Sequence, residues 1–121
     1  MTYLPDLHTE AETRRWIGDF VLRDLEVWVA DDGGHVVGFA ALGDDLLEHL
    51  YVHPQAQNRG VGATLLTVSK ECRPGGLRLW VFQKNVGARR FYERHGFTLV
   101  RLTEGLENEE REPDALYEWR P

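Results

Sequence analysis

The chain has 121 residues, of which 42% are hydrophobic and 28% are charged, so we expect a single globular domain spanning 1–121. A net charge of −6 argues against a nucleic-acid partner, which usually requires a basic face. The single cysteine excludes an intrachain disulfide and fits a cytoplasmic location, and without a signal-peptide pattern or a membrane-length apolar run we expect no membrane partner.

The first third of the chain predicts one helix and three strands. A capping-box spacing from Thr9 to Glu12, followed by an apolar stripe, predicts a helix over residues 9–22. Alternating apolar residues predict strands at 25–30 and 35–42, joined as a hairpin through residues 31–34. A third strand is predicted at 46–52.

The next segment, Val52 to Leu66, reads V-H-P-Q-A-Q-N-R-G-V-G-A-T-L-L and joins a strand end to a helix through a glycine-bearing loop. The first N–H groups of a helix lack intrahelical partners, and Gly60 and Gly62 allow a bulky anion to approach them. The loop lacks the lysine of a nucleoside-triphosphatase loop and the third glycine of the dinucleotide fingerprint. From these residues alone it is either a phosphate-binding loop or a glycine-rich turn.

The rest of the chain alternates helices and strands. The elements are a helix from residue 60 or 61 to 72, a strand at 77–82, a helix at 85–95, a strand at 97–102, an acidic loop at 103–114 and a strand at 115–119. Asn85 is the expected N-cap of the second of these helices, and Gly96 follows its end. The strand–helix–strand unit implies a parallel pair, and the flanking hairpins make the predicted sheet mixed.

Two motifs in the sequence resemble hallmarks of the GNAT family of N-acetyltransferases. The first is Gln57-x-x-Gly60-x-Gly62 after V-x-P, and the second is N-x-x-A-x-x-F-Y-E-x-x-G-F from Asn85 to Phe97. The resemblance runs from about residue 5 to the C-terminus. It implies an α/β fold of the GNAT type, with a central mixed sheet flanked by helices, a splay between strands 46–52 and 77–82, and acetyl-CoA (CoA) as the cofactor.

The resemblance assigns the cofactor to three parts of the chain. The CoA pyrophosphate is expected on the backbone amides of Gln57–Ala63, and the pantetheine arm on the backbone of Leu50–Val52. Asn85 is expected to cap its helix, and the resemblance adds a contact with the CoA arm. Arg59 either adds positive charge to the pyrophosphate site or is a solvated side chain. The expected cofactor-binding residues are Leu50, Tyr51, Val52, Gln57, Asn58, Arg59, Gly60, Val61, Gly62, Ala63, Asn85 and Tyr92.

Tyr92 and Glu48 are the catalytic candidates. Tyr92 matches the tyrosine that protonates the CoA thiolate in many relatives, and the alternative is a core tyrosine packed beside Phe91. Glu48 is either the base that removes the amine proton, directly or through a water chain, or an ordinary strand glutamate. Strand alternation places it on the face of Leu50 and Val52.

No metal site is expected, because His49 and His53 have no third ligand at a suitable spacing. Cys72 is expected to pack in the helix rather than to act as a nucleophile. The segment 104–114 contains six acidic residues and one arginine. This loop is either simply solvated, or it borders the acceptor site and attracts an amine.

The implied function is transfer of the acetyl group from acetyl-CoA to a primary amine of a small molecule or a peptide, by direct attack. The family's usual first strand and helix are absent or reduced ahead of residue 5, so strand 25–30 is expected to present an unpaired edge. A naturally short domain, a homodimer that covers this edge, and a truncated chain all fit. The alternative function is a catalytically weak or inactive acyl-CoA-binding sensor or interaction module.

Overall fold

The computed structural model describes residues 7–8 and 25–121. Its elements are β1 (Leu7–His8), β2 (Glu26–Asp32), β3 (His35–Leu42), β4 (Leu47–Val52), a 3₁₀ turn (Pro54–Ala56), α1 (Val61–Cys72), β5 (Leu77–Phe82), α2 (Val86–Arg94), β6 (Thr98–Leu102) and β7 (Asp114–Trp119). From β2 onwards the strands and helices lie where the sequence predicts them, with ends that differ by two residues at most. The helix predicted at 9–22 lies outside the described residues.

The chain forms two compact units, Met1–Arg73 and Pro74–Pro121. The single domain expected from the length stays a prediction. Among the described residues, no helix is long and apolar enough to cross a membrane.

The first unit contains a four-stranded antiparallel sheet in the order β1-β2-β3-β4. Gly33 (φ 64°) and Gly34 (φ 93°) form the tight turn between β2 and β3, where both residues take the positive φ that a two-residue hairpin turn favours. β1 pairs with β2 through Leu7–Ala30 and His8–Val29. The prediction of an unpaired edge on the strand at 25–30 is therefore wrong at Val29 and Ala30, where β1 pairs with the strand.

α1 packs on this sheet with its apolar face. Val61, Leu65 and Val68 are buried, as the helical spacing predicts, whereas Cys72 is half-buried. The end of α1 is tied to the β3–β4 turn by Arg73, whose guanidinium donates to the Gly43 carbonyl at 2.7 and 2.9 Å. These contacts fix where α1 ends relative to the sheet.

The second unit contains a three-stranded antiparallel sheet in the order β5-β7-β6. Its core is formed by the side chains of Leu77, Leu79, Phe97, Ala115 and Tyr117, each 2% exposed or less. None of the residues 86–94 of α2 is fully buried. This helix therefore depends on partly exposed and polar contacts for its placement.

The strands pair differently from the predicted mixed sheet. Every ladder among the described strands is antiparallel, and β4 and β5 belong to different sheets, so the expected parallel pair and single mixed sheet are wrong. The division falls between the two strands that were expected to splay. Sequence patterns mark each strand, but ladder pairing depends on contacts between distant residues, which local spacing does not specify.

Candidate active site

The segment between β4 and α1 is shaped by two residues with left-handed backbone, Asn58 (φ 65°) and Gly60 (φ 83°). It begins at His53, whose ring Nδ1 accepts the Gln55 N–H at 3.1 Å and starts the 3₁₀ turn. The side chain of Gln57 returns to the strand end and donates to the Val52 carbonyl at 3.3 Å. The loop that the sequence identified thus leads the chain directly into α1.

The first turn of α1 presents backbone donors without a side-chain cap. Gly60 is the N-cap residue, and it provides no side-chain hydrogen bond to the helix. The N–H groups of Val61, Gly62 and Ala63 precede the first intrahelical bond, which runs from the Thr64 N–H to the Gly60 carbonyl at 3.0 Å. No acidic residue lies in this turn, so the positive end of the helix dipole is uncompensated within it. The geometry suits an anion such as a pyrophosphate.

Arg59 lies beside this turn and pairs with Asp32. Its guanidinium is 3.7 Å from the carboxylate of Asp32, and both side chains are more than half exposed. An exposed pair at this distance contributes little to stability and leaves Arg59 available to a stronger anion. A contribution of Arg59 to the pyrophosphate site therefore stays a prediction, beside the alternative of a solvated side chain.

Among the described strands, β4 lies at one end of the four-stranded sheet and pairs with β3 alone. Leu50 and Val52 are half-buried and pair with Ala40 and Gly38, whereas Tyr51 is exposed and stacks at a tilt on Phe39. A free strand edge offers backbone groups to an extended, amide-containing ligand. This property is the one required of the strand expected to bind the pantetheine arm.

Glu48 lies in a β-bulge of β4. The ladder pairs His49 with Ala41 and Leu47 with Leu42, which leaves Glu48 as the extra residue. Glu48 and His49 are both exposed, while Leu47 is buried and Leu50 is half-buried. The bulge therefore interrupts the strict alternation that placed Glu48 on the face of Leu50 and Val52. The side chain of Glu48 has no ion pair or hydrogen bond to another described residue.

In the second unit, Asn85 caps α2 as the sequence predicts. Its side-chain oxygen accepts the Ala88 N–H at 3.1 Å. The other end of the helix closes at Gly96 (φ 90°), whose N–H donates to the Glu93 carbonyl at 3.2 Å. Both ends of the helix that carries Tyr92 are thus defined by local hydrogen bonds.

Tyr92 is half-buried between two aromatic rings. Its ring meets Phe91 at 5.4 Å and Phe97 at 5.8 Å, both edge-on. Burial raises the pKa of Tyr92 to about 12, so the phenol keeps its proton at neutral pH. No described residue hydrogen-bonds its hydroxyl. A protonated, unengaged phenol can donate a proton to a leaving group, although the packing expected of a core tyrosine is present too.

A hydrogen-bond network around the buried side chain of Tyr117 joins α2 to β7, and the sequence did not reveal it. The hydroxyl of Tyr117 donates to Glu93 at 2.6 Å and accepts from the Arg89 Nε at 3.0 Å. Burial, together with the hydrogen bond to Glu93, raises the pKa of Tyr117. The sequence offers one signal for this network, because Arg89 and Glu93 stand four residues apart on one helix.

The acidic loop at 103–114 borders a cavity of about 790 Å³ within the second unit. Its wall includes the rings of Trp80 and Phe82 and the guanidinium of Arg101, which lies 5.6 Å from the Trp80 ring centroid. The lining carboxylates are those of Glu104, Glu107, Glu110 and Asp114. The loop therefore borders an open, acidic pocket, and its role at an acceptor site stays a prediction.

Internal hydrogen bonds hold this loop in shape. The amide of Asn108 donates to the Glu112 carbonyl at 2.8 Å and to Asp114 at 3.2 Å, and its oxygen accepts the Glu112 N–H at 3.1 Å. Thr103 also donates to the carboxylate of Asp114. Gly105 (φ 77°) lies so close to the backbone of Glu112 that any side chain would collide with it. The wall of the cavity is thus an ordered structure.

His49, His53 and Cys72 complete the set of sequence candidates. The described residues contain no group of three histidine, cysteine or acidic side chains that could hold a metal ion. Burial, followed by the charge of Glu26, raises the pKa of Cys72 to about 11, which suppresses the reactive thiolate.

Comparison with known proteins identifies the family of this chain. The sequence profile described as "Acetyltransferase (GNAT) domain" matches residues 23–99, more than half of the chain. The chain is similar to the peptidyl-lysine N-acetyltransferase YiaC of Escherichia coli (strain K12), with 33% identity over 85 residues, which cover 69% of this chain and 58% of YiaC. It spans between 45% and 64% of the lengths of the curated relatives it matches.

Solved structures give the same fold. Nourseothricin acetyltransferase superposes with a TM-score of 0.71 at 28% identity, covering 80% of this chain and 65% of that one. A protein described as a streptothricin acetyltransferase from Bacillus anthracis str. Ames, in complex with acetyl coenzyme A, gives 0.72 at 21% identity, covering 81% and 63%. The predicted GNAT-type α/β fold is confirmed, and the chain belongs to the GNAT family of acetyltransferases.

Proposed function

We propose that this protein is an acetyl-CoA-dependent N-acetyltransferase that acts on a primary amine of a small molecule or a peptide. The observation that carries the proposal is the uncapped first turn of α1, entered through left-handed Asn58 and Gly60, in a chain of this family. YiaC is by its name a peptidyl-lysine N-acetyltransferase, and the nourseothricin enzyme takes its name from an antibiotic. These names support an amine acceptor for this chain.

The residues of the first unit fit the cofactor. The N–H groups of Val61, Gly62 and Ala63 would hold the pyrophosphate, with Gln57, Asn58 and Gly60 shaping the loop. The free edge of β4 at Leu50–Val52 would receive the amides of the pantetheine arm. In the second unit, Asn85 uses only its side-chain oxygen to cap α2, so its amide nitrogen is not used by the cap.

Bound acetyl-CoA would supply an activated acetyl thioester, and the side chains of this protein would donate and accept the protons of the reaction. Tyr92 would give its proton to the departing sulfur, a role supported by its raised pKa of about 12, which keeps the phenol protonated at neutral pH. Glu48 would accept the proton of the attacking amine. Because Glu48 is exposed in a bulge, we propose that it acts through water.

The acceptor amine would enter the cavity beneath the loop at 103–114. Four carboxylates against one arginine give its lining an excess of negative charge, which attracts a protonated amine. Trp80, whose side chain is 41% exposed, and Phe82 offer apolar surface for the rest of the acceptor. This charge pattern supports the hypothesis that the loop borders the acceptor site and attracts an amine.

The test of the proposed function is release of free thiol when acetyl-CoA is mixed with a panel of amines, including a lysine peptide, a peptide with a free α-amino group and a small diamine. Calorimetry with CoA runs in parallel. Turnover with any amine supports the enzyme. CoA binding without turnover would support the alternative, an acyl-CoA-binding sensor or interaction module. A chain that binds no CoA would contradict both.

A further inference from the structure

A single buried hydroxyl connects two turns of α2 to the second sheet. The side chain of Tyr117 in β7 is 0% exposed. Its hydroxyl lies 2.6 Å from Glu93 Oε2 and 3.0 Å from Arg89 Nε, and the Arg89 guanidinium also lies 5.9 Å from the centre of the Tyr117 ring. A further donor of Arg89 reaches the Gln83 carbonyl at 3.3 Å, just before the helix begins.

These contacts matter because none of the residues 86–94 of α2 is fully buried. The rotation of the helix about its own axis therefore depends on partly exposed contacts, which include the packing of Tyr92 against Phe97. Arg89 and Glu93 are one helical turn apart and therefore on one face, and both bind the same oxygen atom. Two points on one face joined to one fixed atom define that rotation.

Tyr92 is directly affected by this rotation. It precedes Glu93 in the chain and lies three residues after Arg89, so any turn of the helix carries its phenol along. A side-chain tip lies about 6 Å from a helix axis, so a rotation of about 10° displaces it by about 1 Å. A misplacement of about 1 Å at a reacting centre can reduce a rate by about 100-fold.

We propose that Tyr117, together with Arg89 and Glu93, is a positioning group that sets the orientation of the Tyr92 phenol for proton transfer. This inference rests on the proposed acetyltransferase function and on Tyr92 as its acid. Tyr117 needs no contact with substrate or cofactor for this role. It acts through the helix, and its hydroxyl, rather than its ring, is the part that counts.

The test is a double-mutant cycle on turnover, with variants Tyr117→Phe and Tyr92→Phe and the double variant. Tyr117→Phe keeps the ring and loses the hydroxyl, so kcat is expected to fall about 10-fold to 100-fold while the KM for acetyl-CoA stays within about twofold. If Tyr117 acts through Tyr92, the double variant is no slower than Tyr92→Phe alone. Losses that multiply, or a Tyr117→Phe variant with wild-type kcat, would overturn the positioning role.

A second pair of variants keeps the test decisive if Tyr117→Phe folds poorly. Glu93→Gln retains an oxygen that can accept from Tyr117, whereas Glu93→Ala does not. Glu93→Gln is expected to keep most of the activity, and Glu93→Ala to lose it as Tyr117→Phe does. Equal losses in the two variants would contradict the proposal, since only one of them removes the acceptor.

Arg90 provides a matched control on the same helix. It neighbours Arg89, but it is exposed, and its side chain has no hydrogen bond or ion pair to another described residue. Arg89→Lys should lower kcat, because lysine cannot reproduce both contacts of the guanidinium, whereas Arg90→Lys should leave it unchanged. Equal rates in these two variants would count against the network.

The outcomes separate this inference from the function on which it rests. A protein without turnover on any amine, or a Tyr92→Phe variant at the wild-type rate, overturns both the general acid and its positioning. A slow Tyr92→Phe variant whose loss multiplies with that of Tyr117→Phe overturns the positioning alone.

Discussion

A Cβ atom built on Gly38 would lie 2.7 Å from the carbonyl oxygen of Tyr51, closer than real side chains come. The same atom would meet Val61 and Leu65 of α1 at 3.3 Å. Gly38 therefore sets how closely β3 approaches both β4 and the helix that begins at the proposed pyrophosphate site. Its role is close packing, not a special backbone angle.

Replacing this residue tests that packing. Gly38→Ala should lower the free energy of unfolding by about 1–3 kcal/mol, as expected for overpacking, and should weaken CoA binding by shifting the start of α1. Thermal melts and calorimetry measure the two effects. Gly87→Ala is the matched control, because a Cβ there meets no atom within 4 Å and alanine favours a helix. A Gly38→Ala variant as stable as wild type would contradict the packing argument.

A negative charge in the first turn of α1 should separate helix stability from cofactor binding. Ala63→Glu is expected to raise stability by about 0.3–1 kcal/mol, because a carboxylate there interacts favourably with the helix dipole. The same carboxylate should repel the pyrophosphate and weaken CoA binding at least about tenfold, by calorimetry. Thr67→Glu, on an exposed site one turn further along, carries the same charge and should change CoA affinity much less. Equal losses in both variants would argue against a pyrophosphate site at this turn.

The proposed base predicts a rate effect that depends on pH. Glu48→Gln should lower kcat by about 10-fold to 100-fold near neutral pH, because the protonated amine loses its acceptor. The difference in kcat between the variant and the wild type should shrink at alkaline pH, because the acceptor amine is then already deprotonated before it attacks. His49→Gln, at the neighbouring exposed position, should leave the rate unchanged. A Glu48→Gln variant at the wild-type rate throughout would assign the proton to solvent water alone.

The acidic cavity makes a prediction about acceptor affinity. Glu107→Gln should raise the KM for a cationic acceptor several-fold and weaken its dependence on salt, with the KM for acetyl-CoA unchanged. Glu109→Gln removes the same charge from the same loop, but Glu109 does not line the cavity. Steady-state kinetics of both variants at low and high salt should therefore differ. Matching kinetics would show that only the net charge matters.

Tyr92 links stability to alkaline pH. Its folded pKa of about 12 lies above its ordinary value of 10.0, so the proton is held more tightly in the folded protein. This contribution is fully present below pH 10 and is lost as the pH rises towards 12, because the unfolded chain loses its proton first. Tyr117 acts in the same direction, as does Cys72, whose loss begins near pH 9.

The melting temperature is therefore expected to fall between pH 10 and pH 12, and to fall less in Tyr92→Phe, which has no phenol to ionise. Melts across this range, monitored by far-ultraviolet circular dichroism, measure the difference. Parallel curves for the variant and the wild type would contradict the raised pKa of Tyr92.

Much of the fold was predictable because its signals are local. The cap at Asn85 and the left-handed glycines of the β2–β3 turn each depend on hydrogen bonds within a few residues, which spacing in the sequence specifies. Strand alternation did not predict the bulge at Glu48, because the bulge arises from the register between β3 and β4. The prediction of a single mixed sheet was wrong, since ladder pairing joins residues distant in the chain.

The sequence by itself determined which residues this protein has for its chemistry: a glycine-bearing loop entering a helix, a tyrosine on a capped helix and a band of carboxylates near the C-terminus. Only the tertiary structure decided that Tyr117 binds both Arg89 and Glu93, and that four of those carboxylates line one cavity with Trp80. The physical reason is range. Caps and turns form between neighbours in the chain, whereas the Tyr117 network and the cavity wall each require several elements packed together.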